Sequence, residues 1–356
     1  MQFKFTGFGK GEIMFMKRLG VAAALALCAF GASASNFRAA DQVYVPVAGH
    51  AGGSSGTFIS DAFIANLSGD SVDVSVIYVP RGENGGGTAP AGLEEIRGRI
   101  TLAPYERKEL LDVFVNTLGK SSGFGLLIFN GCKAGLSCGT DTQDDTGFSA
   151  NFRPISVQTR IYQVTPQRPT ETTGQLFSGI PWYNFVSRLQ SNVELDKVFI
   201  TGLTNTGGAG QVGTFRANIG AVNASEWNAT EIVFTLYQGS LTDANKKAEA
   251  TRQLGPLGNQ LYGFDDLFRQ SDGSVFRGSN FFVVVSQRGG GAVNNPPTSC
   301  VDGCPAFLAY GSVLDNISGD ATTMEAQYMV PLSEDVLDVL YPVSAGKKPA
   351  RRTVRH

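Results

Sequence analysis

Val72-Asp73-Val74-Ser75-Val76-Ile77-Tyr78 sets Val72, Val74, Val76 and Tyr78 in alternation with Asp73, Ser75 and Ile77. That is the period of a β-strand with one buried face. Its last five residues match Val233-Phe234-Thr235-Leu236-Tyr237 far downstream, and further matches flank the pair in the same order. Upstream, Val43-Tyr44-Val45 answers Val198-Phe199-Ile200. Gly56-Thr57-Phe58 answers Gly213-Thr214-Phe215, and ten residues after each of those first glycines stands an Asn, Asn66 or Asn223. Downstream, Leu102-Ala103-Pro104 answers Leu254-Gly255-Pro256, Asp112-Val113-Phe114 answers Asp266-Leu267-Phe268, and Phe124 to Phe129 answers Phe281 to Val285. A close cysteine pair follows in each half. Gln175 and Pro181 then close the first, Gln327 and Pro331 the second. Collinear matches over so many segments predict a tandem duplication.

Val157, Thr159 and Ile161 alternate with Gln158, Arg160 and Tyr162, another half-exposed strand. Leu126 to Phe129 and Phe281 to Val285 are instead continuous apolar runs, short and rich in aromatic or β-branched residues. They are expected to lie centrally with both faces covered. Asp112 and Asp266 each precede an apolar residue and a Phe, which predicts that each caps one short helical turn. The expected fold is all-β: two tandem antiparallel β-sandwich domains of immunoglobulin-like type, 40–181 and 195–331, joined by a linker at 182–194. A closed outer-membrane barrel is the competing all-β reading. The continuous apolar runs break the in-out alternation it needs, and a basic, Pro-containing C-terminus is a poor last strand.

Ahead of the first match, Lys17-Arg18, the apolar run Leu19 to Phe30 and the triplet Ala32-Ser33-Ala34 read as a cleaved signal peptide. Residues 1–34 are therefore expected to be upstream sequence and leader, with translation starting at Met16 or Met14. The apolar run is about half the roughly 20 residues of a membrane-spanning helix, so no span is expected in the mature chain. A lipid anchor on Cys28 is disfavoured by Leu27, where a small residue is wanted. The mature protein is expected to be secreted, periplasmic or at the cell surface of a bacterium.

The whole chain has 29 basic and 31 acidic residues. Cleavage after Ala34 removes four of the former (Lys4, Lys10, Lys17, Arg18) and one of the latter (Glu12), leaving a net charge of −5. Such a balance argues against nucleic acid as a partner. Lys347, Lys348, Arg351, Arg352 and Arg355 gather in the last ten residues beside Pro349, so 332–356 reads as a basic disordered tail.

Short motifs in the matched regions are Asn66-Leu67-Ser68, Thr159-Arg160-Ile161-Tyr162, Gly174-Gln175 and Ile180-Pro181. In these the chain resembles a group of uncharacterised secreted bacterial proteins built of tandem β-sandwich repeats. The second half departs from the pattern, with Gly311-Ser312-Val313 in place of Arg-x-Tyr and Ala326-Gln327 in place of Gly-Gln. The resemblance spans most of Gln42 to Pro331. It implies a fold and a compartment and no activity.

Four cysteines remain in the mature chain, Cys132, Cys138, Cys300 and Cys304, and they allow three pairings. Equivalent positions in separate halves favour the local bridges Cys132–Cys138 and Cys300–Cys304, each stabilising by about 2 kcal/mol through a short loop. A four-cysteine zinc site is the rival reading, but it needs the two pairs to converge, and an oxidising compartment favours disulfides. Asp141, Asp144 and Asp145 put three carboxylates in a short loop, a calcium candidate whose spacing fits no EF-hand.

His50 is the only histidine before His356, which removes most Ser-His-Asp and multi-histidine metal chemistry. It sits in a glycine-rich segment read as a loop, with no Gly-Lys-Ser/Thr to make a phosphate cradle. Asp112 and Asp266 suit structural caps better than a glycosidase pair, which must face each other across a cleft. Asn66, Asn223, Asn228 and Asn316 each begin an Asn-x-Ser/Thr triplet and read as turn chemistry. The expected function is non-catalytic, a structural or adhesive binding protein that presents the loops Pro80 to Gly98, Cys132 to Arg153 and Arg288 to Pro305 to an unknown protein or glycan. The alternative is a carbohydrate-binding module in which Trp227 stacks on sugar, with Trp182 and Tyr183 packing the contact between the halves.

Overall fold

The computed structural model describes residues 39–53, 56–84, 97–136, 151–165, 168–187, 197–208, 210–225, 229–290 and 306–328. All lie in one compact unit, Ala39–His356. The fold is all-β, and the strands pair antiparallel throughout.

In the first half, β1 (Gln42–Gly52), β3 (Val72–Pro80), β4 (Arg97–Leu102), β6 (Gly123–Lys133) and β9 (Ile180–Pro181) form one sheet in the order β4-β3-β6-β1-β9. Opposite it, β2 (Thr57–Asn66), β5 (Arg107–Leu110), β7 (Ile155–Thr165) and β8 (Arg168–Ser178) run in the order β5-β2-β7-β8. The end of β1 pairs with the start of β2 and joins the two. In the second half, β11 (Lys197–Asn205), β13 (Thr230–Gln238), β14 (Lys246–Leu254), β16 (Gly278–Gly290) and β19 (Gln327–Tyr328) run β14-β13-β16-β11-β19. Against them, β15 (Asn259–Gly263), β12 (Phe215–Asn223), β17 (Ala306–Asp315) and β18 (Ala321–Glu325) run β15-β12-β17-β18, with β10 (Val186–Ser187) also on β17. The β1–β6 ladder is interrupted between Val45 and Ala48, and the β11–β16 ladder between Ile200 and Leu203. In both, two residues stand against one, Pro46 and Val47 against Leu126 and Thr201 and Gly202 against Phe282, the geometry of a bulge.

Each half has its own apolar centre. Val43, Val74, Val76, Leu127 and Phe129 meet Ile64, Val157 and Ile161 in the first. Val198, Ile232, Phe234, Val283 and Val285 meet Ile219 and Phe307 in the second. Leu126 to Phe129 are all buried on the central strand β6, and β7 alternates buried and half-buried residues as its sequence requires.

The half-exposed reading of Val72 to Tyr78 is corrected, because β3 is buried on both faces. Ile77 and Val79 point away from the first core, as do their ladder neighbours Tyr44, Leu126 and Ile128, yet all five are buried. They share one apolar cluster with Val222, Ala224, Leu257, Leu308 and Tyr310 of the second half. Asp73 is buried on the same face, where Thr101 Oγ1, the Gly135 N–H and Arg99 donate to it. Led by the Thr101 bond, these hold its carboxyl below the usual carboxylate value.

The contact between halves is extended by Pro80–Asn84, which lies along β15. Gly82 and Asn259 exchange backbone hydrogen bonds of 2.9 and 2.8 Å, and the Gly255 N–H donates to the Glu83 carbonyl at 2.7 Å. Arg81 donates to Gln260 Oε1 and the Leu261 carbonyl, Asn259 Nδ2 to the Pro80 carbonyl, and Tyr262 OH to Glu83 Oε1. Trp182 sits in a 3-10 turn, packs on the first cluster and donates from Nε1 to Asp41 at 2.8 Å.

Two matched motifs meet in space. Asn66 is fully buried, and its Nδ2 donates to the carbonyls of Asp70 and Ala103, both at 2.8 Å. Asn223, also fully buried, donates to the carbonyls of Leu254 and Gly255 at 3.2 and 2.8 Å. The Pro-containing turns they hold place Tyr105 (φ 57°) and Leu257 (φ 53°) in the left-handed region after Pro104 and Pro256. The Glu106 and Gly258 N–H groups close those turns onto the Ala103 and Gly255 carbonyls, the pattern of a type II turn.

Candidate functional site

The outward face of the β14-β13-β16-β11 sheet carries an open groove of about 530 Å³. Strand alternation builds its floor. Ile232, Phe234 and Leu236 turn into the second core, so Val233, Thr235 and Tyr237 turn out. The ladders set these in three rows across the sheet: Lys197, Ser286 and Val233 in one; Val284, Thr235 and Glu249 in the next; Phe282, Tyr237 and Lys246 in the third. The Phe282 ring stacks on Tyr237 at 5.2 Å and 7° between planes. It backs the tyrosine where that residue lines the groove.

One wall comes from the β13–β14 turn, Leu241, Thr242 and Asp243. Asn245 Nδ2 ties that turn down by donating to Ser240 Oγ at 2.6 Å and Thr242 Oγ1 at 3.0 Å. Lys246 Nζ pairs with Glu249 Oε2 at 2.8 Å, a hydrogen bond that raises the ammonium above its usual value. The lining therefore combines two cations, two carboxylates, a phenol ring, three hydroxyls and two buried valines. Such a surface can hold a ligand through its apolar ring faces and its hydroxyl groups together.

A second polar constellation lies in the first half, around the end of β1. His50 Nδ1 is 2.9 Å from Asp112 Oδ2, and the Asp112 N–H donates to Asp61 Oδ1 at 2.8 Å. Tyr162 is hydrogen-bonded to Asp61 with Arg160 4.9 Å above its ring. Burial first, then the Asp61 bond, push its phenol up to about 12. His50 is thus not a loop residue but the partner of Gly123 in the β1–β6 ladder. Its carboxylate partner caps α1 (Val113–Asn116), accepting from the Val115 N–H with φ at 42°. The dyad pins a strand end to a helical turn.

Asp266 does not repeat that role. It lies inside α2 (Phe264–Leu267), whose cap is Gly263, and its side chain is exposed beside Arg269. Asn316 is buried, donating to the Gly207 carbonyl and Thr214 Oγ1 and accepting from Arg216. Cys132 stands on β6 opposite Asp73. Cys138, Cys300, Cys304, Asp141, Asp144, Asp145, Asn228 and Trp227 lie outside the described residues, as do 1–38 and 329–356. Among the described residues no three His, Cys, Asp or Glu side chains gather to hold a metal, and no helix is long and apolar enough to cross a membrane.

The groove was not foreseen because the matched pair Val74–Tyr78 and Val233–Tyr237 is one residue out of structural register. The ladders set Val76 against Phe129 and Phe234 against Val285, so Val76 corresponds to Phe234 and Tyr78 to Leu236. A one-residue slip exchanges the faces of a strand. Tyr78 is buried against Phe114, whereas Tyr237 faces outward.

No protein-family model and no curated sequence matches the chain. Among solved structures it aligns with a lectin from Pleurotus ostreatus in complex with GalNAc, at 13% identity over 84% of this chain and 88% of that one. The TM-score is 0.11, below any level that indicates a shared fold.

Proposed function

We propose that the protein is an exported, non-catalytic binding protein built of two tandem immunoglobulin-like sandwiches, 40–181 and 195–331, that takes its ligand in the groove of the second. The observation that carries the reading is a contrast between two sheets of like strand order. The outward face of β3-β6-β1 around Tyr44, Ile77, Val79, Leu126 and Ile128 is apolar and packed against the other half, while that of β14-β13-β16-β11 is polar and open. Support for tandem copies comes from the matching strand orders, the bulges at Val45/Ala48 and Ile200/Leu203, and the Asn66 and Asn223 turns.

Export rests on the signal-peptide pattern of residues 16–34 and on the resemblance to secreted sandwich repeats. The same compartment suits the local bridges Cys132–Cys138 and Cys300–Cys304.

The test is amide NMR on the ¹⁵N-labelled exported chain, titrated with a mixed library of peptides, organic anions and oligosaccharides. Shifts gathered on Lys197, Thr235, Tyr237 and Ser286 are expected. Hits that gather on another face, or conversion of a library member into product, would overturn the proposal.

A further inference from the structure

We infer that the ligand of this groove is a neutral glycan, an inference that rests on the groove being the binding site. The charge of the lining comes first. Lys197 and Lys246 are balanced by Asp243 and Glu249, and Lys246 and Glu249 already satisfy each other. A groove with no net charge offers little to attract a phosphate, a sulfated chain or a polycation. Its ion pair leaves the hydroxyls of Thr235, Thr242 and Ser286, which both donate and accept, with Lys197 as a donor and Asp243 as an acceptor, to make the polar contacts.

The backbone excludes a peptide bound as an added strand. Apart from the edge strand β14, whose open side lies in the plane of the sheet and not on its face, the groove is floored by β13 and β16, which pair on both sides: β13 with β14 and β16, and β16 with β13 and β11. Their main-chain groups are spent in the ladders, and strand addition needs a free edge. An acyl chain or other wholly apolar ligand is disfavoured by the charged and hydroxylated rim.

What fits is a molecule with C–H faces and a periphery of hydroxyls. Tyr237, stacked on Phe282, offers an aromatic surface at one end, and Val233 and Val284 offer an apolar floor. A volume of about 530 Å³ lies within the usual range for small-ligand sites of about 300–1,000 Å³. It admits one or two sugar rings, and the open sides let a longer chain run through.

The experiment displays the full exported chain on an array of neutral gluco-, galacto-, manno- and xylo-oligosaccharides, beside uronic-acid and sulfated chains. The tightest neutral oligosaccharide is then titrated by calorimetry. Neutral glycans are expected to bind, with affinity unchanged between low salt and about 0.5 M NaCl because no ion pair forms. Tyr237→Ala should weaken binding about tenfold, and Tyr237→Phe should stay within about threefold of the native chain. Lys197→Ala, in the opposite row, supplies an independent loss should Tyr237→Ala not fold.

A silent array, or binding confined to the charged chains, overturns the glycan inference. If peptides or anions still shift the groove amides in the NMR titration, the binding site stands and only the ligand class falls. Neutral glycans that bind equally well to Tyr237→Ala and Lys197→Ala overturn both.

Discussion

Asn66 and Asn223 show how much a single side chain can settle. Each sits at the end of a strand with its amide buried, tying that strand to a Pro-containing turn more than thirty residues away in the chain. Read as sequence, both are short polar residues in Asn-x-Ser triplets, and turn chemistry is as far as the pattern goes. The structure adds burial and shows that each amide nitrogen donates to two carbonyls. Asn66→Ala or Asn223→Ala should each lower unfolding free energy by about 2–4 kcal/mol, since the orphaned carbonyls stay buried. Urea denaturation of the variants measures this directly. Asp112 was legible as a cap because its neighbours fix one helical turn. Asp266 was not, because two acids and two phenylalanines in Phe264-Asp265-Asp266-Leu267-Phe268 admit more than one start for the same turn.

At the scale of the element, the all-β class and the central position of Leu126 to Phe129 follow from short apolar runs bounded by turn residues. Facing is harder to read. In β3, periodicity marks Val72, Val74 and Val76 as inward, and they are, but it cannot reveal that Ile77 and Val79 lie beneath another sheet. The same ambiguity hid the groove, since apolar and aromatic residues occur at both parities of Val233-Phe234-Thr235-Leu236-Tyr237. One position tests the sheet-on-sheet contact. A Cβ on Gly220 of β12 would stand 2.0 Å from the Tyr310 ring, which is buried at 4% exposure and meets Phe177 edge-on at 5.7 Å. Gly220→Ala should therefore cost about 1–3 kcal/mol by overpacking, visible as a lower thermal midpoint. An unchanged midpoint would mean that Tyr310 is not wedged between the halves.

For the whole molecule, the two halves share an apolar cluster and a strap of backbone hydrogen bonds along β15, so the second half closes the outward sheet of the first. Sequence similarity between the halves points to repetition; it carries no information about how they dock, because Val222, Leu308 and Tyr310 read equally well as core residues of their own sandwich. Docking leaves one sheet face of that kind open, and that face is polar where its counterpart is apolar. That face is where the proposed ligand enters. The most direct measurement is calorimetric titration of Thr235→Trp, which fills the middle row of the groove floor, with the oligosaccharide that the native chain binds best. Loss of measurable binding at an unchanged thermal midpoint is the predicted result. Native affinity in a folded Thr235→Trp chain would contradict it.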